Sequence, residues 1–278
     1  MKETEITTHS SPLDAQVASA LAPLDEEDIG SAELLIASST GIKTLSGALQ
    51  DHRCFTLESG QELHTGSLEG HTTWITEVAL DDVDGAPPWL RALPLWMAAA
   101  KGCKRVIHTS AGTSLAGSGH RPHRLARISD HVNLSGSSPL TGLGISRLGP
   151  LFPDQTRVHD RELGALAHRA GADLGDSLFD AVAACTIGPA LATPSEFRWY
   201  SAAGADIAVQ GLATPLVASA HAGLSGVALC AITDHADEAT DVATLVERTA
   251  AAAPQLDALV LKLVSALPED LSIDGSTQ

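Results

Sequence analysis

Four short stretches of the chain carry the residue types from which a binding site can be built. SSTGIKT (residues 38–44) and TSAGTS (residues 109–114) each place hydroxyl side chains and a glycine directly after an apolar run. Amides and hydroxyls in such a position can cradle an anion. Loops of this kind fall beyond the carboxyl ends of strands, where open α/β sheets bind ligands. An ordinary strand-to-helix turn has the same composition. In ITDHAD (residues 232–237), Asp234 and His235 follow the apolar run GVALCAI. A carboxylate at the end of a buried strand is costly without a role; the competing reading is an N-cap for the helix that follows. GHRPHR (residues 119–124) is either an anion clamp or a basic surface loop.

The elements that must hold these residues read as alternating strands and helices. Apolar runs predict buried strands at residues 33–39, 72–80, 105–108, 206–209 and 227–232. Helical spacing predicts helices at 88–101, 159–171, 216–222 and 242–267, the last broken or restarted at Pro254. The alternation implies an α/β fold: one domain with a mixed or largely parallel sheet covered by helices. An acidic N-terminal extension (1–30), a single domain (31–268) and a polar tail (269–278) are expected.

Composition narrows the function classes. The 278 residues are 44% hydrophobic and 18% charged, the pattern of a folded globular chain. With 34 acidic against 17 basic residues, the formal net charge of −17 argues against nucleic acid and anionic membranes as partners. Aromatic residues at 3% leave few stacking platforms for single strands. The acidity is uneven, since residues 91–127 contain seven Lys or Arg and no Asp or Glu. Cys54, Cys103, Cys185 and Cys230 show no pairing with histidine at metal-binding spacing, so no metal is expected and the cysteines read as reduced thiols. No signal peptide or membrane-length apolar run stands out, which points to the cytoplasm. Fingerprints for dinucleotides, phosphate loops, HExxH and GxSxG are absent.

Longer segments are specific. ISDHVNLSGSSPLTG (128–142), LFPDQTRVHDREL (151–163), GPALATPSEFRWYSAAGAD (188–206) and HAGLSGVALCAITDHA (221–236) follow one another in the order of a known family. They resemble the DHxNL…PLxG, FP…YD, GP…T…AE…R…GAD and purine-recognising segments of the trimeric purine nucleoside phosphorylases and 5′-methylthioadenosine phosphorylases. The likeness runs from about residue 32 to 268. It implies a single α/β domain with a mixed sheet, a distorted barrel and surrounding helices.

The resemblance also implies a chemistry, phosphorolysis of the N-glycosidic bond of a purine nucleoside, with no cofactor beyond inorganic phosphate as co-substrate. Thr40 falls on the phosphate-binding hydroxyl of the first loop. Thr109, Ser110 and Ala111 fall on the second loop, and Asp234, followed by His235, falls on the purine selector. An Asp there fits a 6-aminopurine, donating to N7 when protonated and accepting from the 6-amino group. Ala192 replaces the carboxylate of 6-oxopurine enzymes, and no histidine matches the one on the sugar 5′-hydroxyl, which suits a 5′-modified or deoxy adenosine. Phe152 falls on the Phe that closes a neighbour's sugar site in a homotrimer. The family's phosphate-binding Arg and His align with His71 and Thr73, and its Ser or Thr with Gly211, preceded by Gln210. A neutral imidazole does not replace a bidentate guanidinium, so Arg121 or Arg124 is the candidate substitute cation. The alternatives are a phosphate-independent hydrolase, cyclase or isomerase of specialised metabolism on the same scaffold, and a non-catalytic nucleoside-binding protein.

Overall fold

The computed structural model describes residues 11–57, 59–78, 86–119, 124–238, 240–269 and 271. It opens with α1 (Pro12–Glu26), where Pro12 sits at the start and the Ser11 hydroxyl accepts from the Asp14 amide. Leu13, Val17, Leu21 and Leu24 recur at three- and four-residue spacing and are buried. The segment expected as an acidic extension therefore adds a helix to the core. Its acidic residues mostly occupy the wet side of that helix and the turn after it.

The chain continues through β1 (Leu34–Ser38), α2 (Lys43–Gly47), β2 (Gln50–Thr56), β3 (Glu62–Leu68), β4 (His71–Glu77), α3 (Pro88–Ala100) and β5 (Arg105–Ser114). There follow β6 (Leu125–Asn133), α4 (Arg161–Asp173), β7 (Phe179–Thr186), α5 (Pro194–Ala202), β8 (Ile207–Gln210), α6 (Ala213–His221), β9 (Ser225–His235) and α7 (Val242–Ser265). Strand order is β2-β3-β4-β1-β5-β8-β7-β6-β9, and β9 pairs back onto β5. The last five strands thus close a barrel, and the mixed sheet extends from it through β1. This is the α/β architecture expected from the sequence. No described helix is long and apolar enough to cross a membrane.

Three of the four buried clusters among the described residues follow from the pleat. β1 is buried along its whole length, as a strand covered on both faces must be. Leu35 and Ala37 face the α1–α3 side with Trp74 and Trp96, whereas Leu34 and Ile36 face α7 with Ile75, Leu259 and Leu263. Ala126, Ile128, Ala183, Val209 and Cys230 fill the barrel.

Two departures from the expected elements bear on function. TSAGTS is strand, not loop, because β5 runs on to Ser114 with β9 beside it throughout. Asp234 and His235 likewise belong to β9 rather than to a helix cap. Helix α7 is continuous through Pro254, its following turns held by buried Leu256, Leu259, Val260 and Leu263.

Where β5 passes under α6, His108 Nε2 lies 3.0 Å from Ser219 Oγ, whose own proton goes to Pro215 O at 2.8 Å. Nε2 therefore carries the imidazole proton, and Nδ1 is buried without a partner. Burial, with His159 adding repulsion, pushes His108 down to about 3 from 6.5. The unfolded chain thus takes up a proton near pH 6.5 that the folded chain refuses until about pH 3. Stability should fall as pH falls through that window, by about 2 kcal/mol from His108 alone between pH 6.5 and 5. Urea denaturation at the two pH values measures this, and His108→Gln should flatten the dependence; an unchanged slope contradicts it.

Candidate functional site

Parallel pairing of β1 with β5 sets Ser38 beside Thr109. Their ends carry a knot of hydroxyls. Thr109 Oγ1 donates to Ser38 Oγ at 2.8 Å, and Ser38 Oγ donates to Gly41 O at 2.7 Å. Thr40 Oγ1 lies 3.2 Å from Thr109 Oγ1 and 3.3 Å from Ser38 Oγ, and Ser39 Oγ donates to Thr109 O at 3.0 Å. Gly41, with φ of 94°, turns the chain back over the cluster. The result is a compact array of rotatable O–H donors of the kind an anion can recruit.

Pleating divides the second stretch. Thr109 and Ala111 share one face, and Ser110 points to the other, where its Oγ lies 3.4 Å from Leu229 O in the interior. The Ser110 hydroxyl therefore does not join Thr40 and Thr109, contrary to expectation. Further along β5, Gly112 permits three strands to converge: a Cβ there would meet Cys230 Sγ at 2.9 Å and Ala208 O at 3.0 Å.

Asp234 sits opposite Thr113, four residues beyond Thr109 and so about 13 Å along the strand. It is 1% exposed. Arg248, from α7, donates to its Oδ1 and also lies 3.5 Å from Glu238 Oε2. Asp234 Oδ2 is buried with no partner. His235 accepts from the Asp237 amide at Nδ1, 3.2 Å. Ala192 packs with Phe197 and Ala236 onto Leu115, Ala184 and Tyr200, so it borders the end of β9. Gln210 closes β8 and donates to Ala190 O at 2.8 Å; Gly211 follows with φ of 76°, its amide on Thr186 O.

Other expected residues lie elsewhere. β4 runs parallel to β1 with Thr73 beside Leu34 and Glu77 beside Ser38. His71 is therefore about 20 Å along the strand from the level of the hydroxyl array. It is buried there, with Thr73 Oγ1 donating to its carbonyl. His71 and Thr73 do not reach the hydroxyl array. The β4 residues that approach Ser38 are Glu77 and Val78, and residues 79–85 lie outside those described. The inferred Arg-to-His replacement thus rests on the wrong end of the strand. Arg124 donates to Ser177 O at 2.7 Å beside Asp176, away from the array, and Arg121 lies outside the described residues.

Four cations of the basic span, Lys101, Arg105, Arg124 and Arg127, lie against acidic partners. Arg127 forks onto Asp180 at 2.7 and 2.6 Å, holding that carboxyl down at about 2. Arg105 faces Asp160, and Lys101 meets Asp25. Phe152 is 88% exposed. It lines a cavity of about 460 Å³ with His131, Asn133, Leu140, Gln155 and Val217, a different place from the hydroxyl array. Cysteine and histidine do meet, because Cys54 Sγ lies 3.9 Å from His64 Nε2 across two strands.

The match to known proteins can now be set beside this geometry. A family model described as the phosphorylase superfamily matches residues 33–265. The chain belongs to the phosphorylase superfamily. Purine nucleoside phosphorylase 1 of Geobacillus stearothermophilus is 29% identical over 175 residues, 63% of this chain and 64% of that protein, so less than two thirds of the relative is covered. Purine nucleoside phosphorylase 1 of Bacillus subtilis (strain 168) is 26% identical over 206 residues, 74% of this chain and 76% of that one. A solved Schistosoma mansoni purine nucleoside phosphorylase in complex with adenosine superposes with a TM-score of 0.84 at 19% identity, covering 92% of this chain and 98% of the other. At that identity the likeness is one of fold.

Of this superfamily member's clustered residues, Ser38 falls inside the SSTGIKT stretch, whereas Arg248 is a candidate the sequence reading missed. Arg248 had a usable signal: it is the one Lys or Arg between Arg198 and Lys262. Its removal should expose the cost of Asp234. Arg248→Met leaves a buried carboxylate without its cation and should lower stability by about 1–3 kcal/mol. Asp234→Asn in the same chain should restore most of the loss. Denaturant melts of the two variants test this, and equal stability of Arg248→Met and the parent refutes the pairing.

Proposed function

We propose that this phosphorylase-superfamily chain cleaves the N-glycosidic bond of a 6-aminopurine nucleoside, the attacking group being inorganic phosphate. The observation that carries the reading is the buried, partnerless Oδ2 of Asp234, whose residue lies about 13 Å along the paired strands from the Ser38–Thr40–Thr109 array. A buried acceptor without a donor is costly, and a ligand N–H relieves it. A 6-amino group supplies such a donor; a 6-oxo group sets acceptor against acceptor.

The chemistry follows from where charge develops. As the bond between the anomeric carbon and the purine nitrogen breaks, its electron pair leaves with the purine and the sugar gains oxocarbenium character. A phosphate oxygen, held by the hydroxyls, forms the new bond at the anomeric carbon, giving a sugar 1-phosphate. Arg248 beside Asp234 supplies positive charge where the departing purine becomes negative. Ala192 and Ala236, both small, pack beside the end of β9. A 5′-modified or deoxy sugar fits the absence of a matched 5′-hydroxyl histidine. Relatives named purine nucleoside phosphorylase support the reaction class, and solved neighbours carry adenosine, inosine and guanosine.

Release of adenine from adenosine and from its 5′-methylthio analogue should require phosphate and yield one sugar 1-phosphate per base. An equal rate without phosphate overturns phosphorolysis. Adenosine should exceed inosine in kcat/KM by at least about tenfold, and Asp234→Asn should narrow that gap. Preference for inosine in the parent removes the 6-amino assignment and leaves phosphorolysis standing.

We also propose a homotrimer in which Phe152 closes the neighbouring copy's sugar site. Ile145, Leu151 and Phe152 are 79%, 43% and 88% exposed, apolar surface that association would cover. Sedimentation velocity should show a species of three chains, and Phe152→Ala should raise the nucleoside KM. A monomer at assay concentration rules this out.

A further inference from the structure

The β2–β3 hairpin sets four metal-ligating residues at one place, two to three strands across the sheet from the hydroxyl array and unused by the reaction. Cys54 stands directly opposite His64, and Thr56 opposite Glu62. Residues two apart share a face of a strand, so Glu62 and His64 lie together across from Cys54. The sulfur is 3.9 Å from His64 Nε2, and Glu62 Oε2 is 3.4 Å from the same nitrogen. All three ligand atoms lie within 4.8 Å of one another. A tetrahedral zinc ion with bonds of about 2.3 Å to sulfur and about 2.1 Å to nitrogen and oxygen needs edges of roughly 3.6 and 3.4 Å. The cluster already has nearly those dimensions.

His52 completes the arrangement. Its Nε2 lies 2.8 Å from His64 Nδ1, with the two rings stacked at 5.1 Å. When His64 Nδ1 donates to His52, the Nε2 lone pair faces the thiol and the carboxylate. An imidazole whose other nitrogen is held by a hydrogen bond is the usual form of a metal ligand. His64 is buried, whereas Cys54 is exposed. The position therefore pairs a fixed central ligand with an open approach.

We propose that Cys54, Glu62 and His64 bind one zinc-class divalent ion, with His52 orienting His64 and the fourth position left to water. Mixed thiolate, imidazole and carboxylate donors suit zinc and its spectroscopic substitute cobalt better than magnesium or calcium, which prefer oxygen alone. The ion would tie β2, the outermost strand of the sheet, to β3.

The test uses the full chain stripped with chelator and titrated with cobalt(II), then with zinc. One cobalt per chain should bind, with a thiolate-to-cobalt charge-transfer band in the near ultraviolet and intense tetrahedral bands in the visible. Zinc should displace it. Cys103, Cys185 and Cys230 are buried, so Cys54→Ser should abolish the charge-transfer band while circular dichroism stays that of the parent. Glu62→Gln and His52→Ala should each weaken binding by about tenfold or more. Absence of the charge-transfer band in the parent overturns the proposal. So does a band that survives Cys54→Ser, or metal binding that all three variants leave unchanged.

Discussion

The pairing of β5 on both of its edges is the constraint from which the rest of the molecule follows. Its first half lies between parallel neighbours β1 and β9, and its end meets β8 antiparallel while β9 stays alongside. One strand thus belongs to the open sheet and to the barrel at once. The transition demands a close approach at Gly112, where any Cβ would collide with Cys230, Ala208 and Val209. The register shift between Gly112 and Thr113 falls at the same point, as expected where a strand must bend to close a barrel. Both halves of the candidate site are then fixed by register. Ser38 is beside Thr109 and Asp234 beside Thr113, and neither can shift without unzipping β5.

Charge is distributed to match that scaffold. Lys101, Arg105 and Arg127 face Asp25, Asp160 and Asp180, and Lys262 faces Asp173, so many of the cations are spent on neighbours in the fold. A net charge of −17 then describes mainly a solvated surface. At the end of β9 the cation comes from α7, through Arg248, and its partner is almost fully buried. Taking a carboxylate out of water is tolerable only with such a partner. The N-terminal half of α7 is accordingly part of the site, although its surface residues Val242 and Val246 give no sign of that.

Legibility in the sequence divided along one line: contacts local in the chain could be read, and contacts between strands could not. The cores of β1, β4, α3 and α4 are visible as apolar periodicity, and Thr40, Thr109 and Asp234 follow strands that were found. His71 was misplaced because a strand's sequence does not state which of its ends lies level with a partner. Only the pairing of Thr73 with Leu34 does so. Ser110 is not legible as a core residue in a stretch with the composition of a loop, because only within a strand does alternation send adjacent residues to opposite faces. Cys54 and His64 are ten residues apart and meet only through the hairpin register. The α1 residues Leu13, Val17, Leu21 and Leu24 were outweighed by the acidic residues around them, although their spacing was helical.

The two ends of the site differ in what they ask of a ligand. The hydroxyls of Ser38, Thr40 and Thr109 satisfy one another, so leaving them without an anion costs little. Asp234 Oδ2 has no such alternative. A neighbour that cannot donate there leaves a buried acceptor unmade, at a cost of about 1–3 kcal/mol. The hydroxyl array can rearrange around anions of different shape, whereas the carboxylate is held by Arg248 on one oxygen and by burial on the other. Of the two ends the β9 end is therefore the stricter toward whatever approaches it, and the hydroxyl end the more adaptable.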